Sequence, residues 1–124
     1  MPASILGLRT TIYKVSDLDA AKAWYAKAFL TEPYYDQAPY VGFNIAGYEL
    51  GLFLDAGEEP SAADNVLSYW GVGDIGAAMA HFQSLDASVH EAPMNVGGDI
   101  VTASVRDPWG NVIGLIYNPE FALA

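Results

Sequence analysis

Cysteine is absent from the 124 residues. That absence removes disulfides, thiolate metal ligands, iron–sulfur clusters and cysteine nucleophiles together. Histidine is scarce as well, with two residues, so a metal would have to be held by these and by carboxylates. Basic residues number 5 against 15 acidic ones, giving a net charge of -10. A surface of that sign repels phosphate backbones and anionic lipid, so neither nucleic acid nor a membrane is expected as a partner. It attracts a cationic small molecule, although an acidic surface also serves solubility. Long hydrophobic runs are missing too. The longest, near Val112 to Tyr117, falls far short of the roughly 20 residues that cross a bilayer. Residues 1–9 show no basic leader followed by a sustained apolar segment, and a cytoplasmic location is the expectation.

What the chain does have is apolar content, 52%, enough for the core of one domain over residues 1–124. It also repeats itself. The stretch Val15-Ser16-Asp17-Leu18-Asp19-Ala20-Ala21 is echoed 57 residues later by Val72-Gly73-Asp74-Ile75-Gly76-Ala77-Ala78. In each copy a short apolar stretch (residues 11–15; residues 67–72) runs into a polar N-cap. Leu18, Ala21, Trp24, Tyr25 and Phe29 then recur at helical spacing, as do Ile75, Ala78, Met79, Phe82 and Leu85. Further strand-like runs follow at residues 33–36, 40–45 and 48–54, and again at 88–92, 100–106 and 112–117. The order strand, helix, strand, strand, strand thus occurs twice, in units of about 5–56 and 65–119, with a linker at about 57–64. The expected class is α+β.

Period-two alternation sorts the strand faces. Leu50, Leu52 and Leu54 point to the helix, as do Val41, Phe43 and Ile45; Val101, Ala103 and Val105; and Ile113, Leu115 and Tyr117. Tyr40, Glu49, Gly51, Phe53, Ser104, Arg106 and Gly114 are left on the opposite face, where a ligand has room.

The Val-x-Asp-Leu-x-x-Ala stretch at residues 15–21 and Asp107-Pro108-Trp109-Gly110-Asn111-Val112-Ile113 together resemble the signatures of the vicinal-oxygen-chelate superfamily of glyoxalases, bleomycin-resistance proteins and extradiol dioxygenases. The resemblance runs from about residue 8 to residue 119. It implies two βαβββ units whose sheets curve into a cup, and commonly a homodimer. In metal-dependent members four cup-floor side chains hold a divalent ion, which polarises substrate oxygens as a Lewis acid. Carried over position by position, those ligands fall on Thr10, Gly51, Leu67 and Gly114. None is a usual ligand, so no metal and no other cofactor is expected.

Asp107 to Asn111 also reads locally as a tight turn, with Pro108 pre-setting the backbone and Gly110 or Asn111 taking positive φ. Trp109 at its tip overhangs the expected cup. The ligand-binding candidates are Ile12, Tyr40, Glu49, Phe53, Tyr69, Ser104, Arg106 and Trp109. Glu49 reads either as a rim charge or as a carboxylate held for a cationic group or hydroxyl of a ligand. His90 is either a general base on the cup side, if Val89 packs inward, or a solvent-facing strand residue. A Gly71-x-Gly73-x-x-Gly76 run imitates a dinucleotide fingerprint, but the first repeat has no glycine at the same junction and Asp74 would face the pyrophosphate.

The expected function is metal-independent binding or sequestration of a small organic molecule, cationic or aromatic, in the manner of bleomycin-resistance proteins. Two alternatives stand beside it. One is a lyase, isomerase or dioxygenase of the same fold working through Glu49, His90 or an unrecognised metal site. The other is a domain that only dimerises.

Overall fold

The structure is a computed structural model that describes residues 8–55 and 67–119. The expected linker lies outside the described residues. The chain divides into two compact units, Met1–Gly57 and Glu58–Ala124. Each contains one βαβββ set, so the repeat read from the sequence is a repeat of structure.

In the first unit β1 (Thr10–Val15) leads into α1 (Leu18–Ala28), followed by β2 (Tyr35–Gln37), β3 (Tyr40–Ile45) and β4 (Tyr48–Leu54). The sheet order is β1-β4-β3-β2, with β1 parallel to β4 and the other pairs antiparallel. Asp17 is the N-cap of α1, its carboxylate accepting the Ala20 N–H at 3.1 Å. The helix buries Leu18, Ala21, Tyr25 and Ala28 and packs on β3 and β4. Tyr25 is fully buried, its ring stacked between Tyr13 at 5.7 Å and Phe29 at 5.8 Å. Val41, Phe43, Leu50 and Leu52 complete the core, on the face that alternation predicts. Leu54 departs from the pattern. It ends its strand and is 36% exposed.

The second unit repeats the plan with β5 (Tyr69–Gly71), α2 (Ile75–Ser84), β6 (Ser88–Gly97), β7 (Ile100–Arg106) and β8 (Val112–Tyr117), in the order β5-β8-β7-β6. Asp74 caps α2 as Asp17 caps α1, accepting from Ala77 N–H at 3.0 Å. Ile75, Met79 and Phe82 face a core of Ala103, Val105, Ile113 and Leu115. The strand β6 runs five residues beyond the expected end at residue 92, and every residue in it is exposed. Its register with β7 slips between Val89 and Glu91, where His90 is the extra residue of a bulge.

The β7–β8 turn is held by Asp107, which is 5% exposed. Its carboxylate accepts from the Trp109 N–H at 2.9 Å, the Asn111 N–H at 2.8 Å and the Asn111 side-chain amide at 2.9 Å. Gly110 takes a φ of 90°, as the turn reading requires. Replacing Asp107 by Ala leaves three donors without their acceptor. The expected cost is about 2 to 3 kcal/mol, read as a lower urea midpoint with an unchanged m-value.

Candidate functional site

The register of the first unit sorts the open face of its sheet into three rows. The first is Asn44, Glu49 and Thr10; the second is Tyr35, Gly42, Gly51 and Ile12; the third is Gln37, Tyr40, Phe53 and Lys14. The two glycines are paired across β3 and β4, so the middle row has a stretch of bare backbone with side chains on both sides. The Tyr40 ring fills it. A Cβ built on Gly51 would come within 2.7 Å of Tyr40 Cε1 and Cζ, and one on Gly42 would lie 3.1 Å from Tyr34 Cε1 and 2.8 Å from Glu49 Oε2. The missing side chains let a tyrosine from the third row reach across to the carboxylate in the first.

That carboxylate is the polar centre of the face. Thr10 Oγ1 donates to Glu49 Oε1 at 2.8 Å, and the Tyr34 hydroxyl donates to Oε2 at 2.5 Å. The Tyr40 hydroxyl reaches over Gly51 toward the same carboxylate and adds to the hold on it. Donation from Tyr34, joined by Thr10 and Tyr40, holds the Glu49 carboxyl below its usual range, against the opposing effect of partial burial. The reciprocal effects appear on the phenols. Tyr40 is pushed up to about 12, first by burial and then by its bond to Glu49, and Tyr34 is raised first by its bond to Glu49. Glu49 is therefore an anion held by neutral hydroxyls that stay protonated. An open depression of about 380 Å³ adjoins it, with Arg9, Thr10, Tyr34, Asn44, Tyr48 and Glu49 among its lining residues.

Of the residues expected here, Tyr40, Glu49, Phe53 and Ile12 share the open face of this one sheet, with Ile12 54% and Phe53 39% exposed. Two participants were not among the expected ligand-binding residues. Tyr34 precedes β2 and is fixed by its N–H bond to the Gly42 carbonyl at 2.9 Å, a position that strand alternation does not describe. Thr10 enters the sequence reading only as a position where the family resemblance would put a metal ligand. Its β-strand pairing with Glu49 is the signal that the repeat contained.

The second unit arranges its candidates differently. Its open face carries the row Glu91, Ser104, Gly114 and Tyr69. The Tyr69 ring lies over Gly114, where a Cβ would be 2.8 Å from Tyr69 Cδ1. Ser104 is in the expected row but is fully buried, its hydroxyl donating to Glu91 Oε1 at 3.2 Å, so it is not presented to a ligand. Glu91 holds that open-face position, because the bulge at His90 advances the strand by one residue. His90 is exposed there. Arg106 donates to the Gly110 carbonyl at 3.0 Å and serves the turn, and Trp109 is half-buried beside it. The depression at the start of α2 is lined by Gly73, Asp74 and Gly76, and the Asp74 carboxylate occupies the helix N-terminus that a pyrophosphate would need.

The family resemblance puts metal ligands at four positions, and the residues there are otherwise engaged or lack a donor. The Thr10 hydroxyl is given to Glu49, the Tyr40 ring lies against Gly51, the Tyr69 ring and Ser68 carbonyl lie against Gly114, and Leu67 has no donor. No group of three or more His, Asp or Glu able to hold a metal occurs among the described residues. These residues do not fit the ion. Among them, no helix is long and apolar enough to cross a membrane.

Comparison with known proteins follows the fold. Residues 7–115 match the family model of the Glyoxalase/Bleomycin resistance protein/Dioxygenase superfamily. A glyoxalase-related enzyme from Fulvimarina pelagi is similar in structure, with a TM-score of 0.76 at 14% identity, covering 97% of this chain and 94% of its own. A lactoylglutathione lyase from Agrobacterium tumefaciens gives 0.73 at 18% identity, covering 98% of this chain and 100% of its own. A glyoxalase/bleomycin resistance protein from Catenulispora acidiphila gives 0.67 at 19% identity, covering 91% and 100%. At such identities the likeness is one of fold. No curated protein matches the sequence.

The packing of Tyr40 on Gly51 is testable. A Gly51→Ala change overpacks the ring, with an expected cost of about 1 to 3 kcal/mol. In a Tyr40→Ala background the same change should cost less than about 0.5 kcal/mol, giving a coupling energy in a double-mutant cycle read by urea denaturation.

Proposed function

We propose that this chain, which belongs to the Glyoxalase/Bleomycin resistance protein/Dioxygenase superfamily, binds and sequesters a small organic cation with an aromatic or apolar part, without a metal ion. The observation that carries the reading is the Glu49 carboxylate, held as an anion by Thr10, Tyr34 and Tyr40 on a sheet face that also exposes Ile12 and Phe53. An anion fixed among aromatic and aliphatic surface recognises a cation by charge and the rest of the guest by contact. The net charge of -10 adds long-range attraction for such a guest.

Proton transfer by Glu49 is the weaker alternative. A general base works best with its pKa near the operating pH. The three hydroxyls move Glu49 the other way, toward permanent ionisation. They suit it to hold charge, not to exchange protons.

Two measurements test the reading. Benzyltrimethylammonium binding, followed by calorimetry, should weaken at least tenfold on Glu49→Gln while circular dichroism stays native. Equal affinity of the two proteins removes Glu49 from the site. A stoichiometric divalent ion in protein purified without chelators overturns the metal-free part. The pH dependence has a definite sign. A carboxyl lowered from its usual value near 4.5 stays ionised as pH falls to that value, so binding should persist at pH 4.5 and be lost below it. Of the groups that hold it, Thr10 does not ionise, and Tyr34 and Tyr40, raised from their usual value, stay neutral over that interval. Binding already halved at pH 5.5 contradicts the assignment.

A further inference from the structure

Resting on the binding reading above, we infer that the guest is an amphiphile, with its cation at one end and an aromatic or alkyl body carried on a chain of several carbons. Charge and apolar surface do not mingle on this sheet face but follow one another along the strands. Glu49 lies in the first row with Asn44 and Thr10, which are polar as well. The exposed apolar side chains begin in the second row with Tyr35 and Ile12 and continue in the third with Phe53. A strand rises about 3.3 Å per residue, so Phe53 stands about 13 Å along β4 from Glu49.

The interval between them is a trough. In the second row Tyr35 and Ile12 stand at the two ends, with Gly42 and Gly51 between them. Three strand spacings set those ends about 14 Å apart. No side chain of that row rises in the gap. The Tyr40 ring lies over Gly51 and the Tyr34 ring over Gly42, so the floor is ring surface. Tyr35, Ile12 and Phe53 are 43%, 54% and 39% exposed, which leaves both walls and the far end open to a guest. An alkyl chain laid on such a floor covers apolar surface and needs no hydrogen bond. Benzylamine, whose ring sits one carbon from its nitrogen, fills the Glu49 end and leaves Phe53 uncovered. A chain of four carbons carries the ring past the glycines toward Phe53.

The test is the series of phenylalkylamines with one to four methylenes, from benzylamine to 4-phenylbutylamine, titrated calorimetrically into the full chain at pH 7. Complete burial of a methylene is worth about fourfold in affinity, and a face open on one side realises about half of that free energy, or about twofold. Over the three added methylenes, 4-phenylbutylamine is therefore expected to bind about eightfold more tightly than benzylamine. Apolar gain elsewhere on the protein would give a similar trend, so the gain must also be located. Phe53→Ala removes the far end of the trough and should bring the ratio below about threefold. Ile12→Ala removes a wall and should lower the ratio in the same way if the first variant fails to fold. Affinity that does not rise along the series, or a ratio that neither variant lowers, overturns the inference and leaves the binding reading standing. Failure of all four amines to bind overturns both.

Discussion

Each unit is closed by a parallel pairing of its first strand with its last, and the other features follow from that closure. Thr10 lies opposite Glu49 and Tyr69 opposite Gly114 only because the chain leaves the first strand through a helix, builds two more strands outward and returns. A parallel pair cannot be joined by a tight turn, so the helix is required by the connection as well as by the core. Asp17 and Asp74 mark the point where each strand gives way to that helix. Once the first and last strands are adjacent, the residues on their open side form a surface that no local segment of sequence could assemble.

On the first unit that surface places an acid among donors that carry no charge. With 5 basic residues in the chain, charge pairing is a limited resource, and the visible pairs are made with other acids, Lys14 with Asp55 and Lys22 with Asp36. Hydroxyl donors satisfy Glu49 without neutralising it. The distinction decides what the face can do, since an ion pair presents no net charge to a guest and a solvated rim acid presents no shape. Glu49, fixed by hydrogen bonds to both of its oxygens, presents both.

Much of the architecture was legible because its causes are local. The two Val-x-Asp copies carry their own caps, the apolar alternation in β4, β7 and β8 assigns the core face, and Asp107 to Asn111 contains both the carboxylate that holds the turn and the donors it holds. The site was legible in part. Glu49, Tyr40, Phe53 and Ile12 were placed on one face by alternation alone. The errors have a common source in features that interrupt alternation. A bulge at His90 gives Glu91 the position beside Ser104, Tyr34 acts from outside a strand, and Ser104 is covered although its row faces away from the helix. A ring that leans over a bare glycine toward another row is invisible to any pattern that treats each side chain as pointing straight up.

Tyr40 and Gly51 also constrain the history open to this chain. Position 51 is where the family resemblance puts a metal-binding side chain, and the tyrosine ring lies in the volume that such a side chain would fill. Ligand and ring are mutually exclusive tenants. A lineage that holds the ring reaches the ligand through an intermediate that is either overpacked, with both, or hollow, with neither. The two arrangements are thus separated by a steric barrier that a single substitution does not cross in either direction, set by one pair of residues.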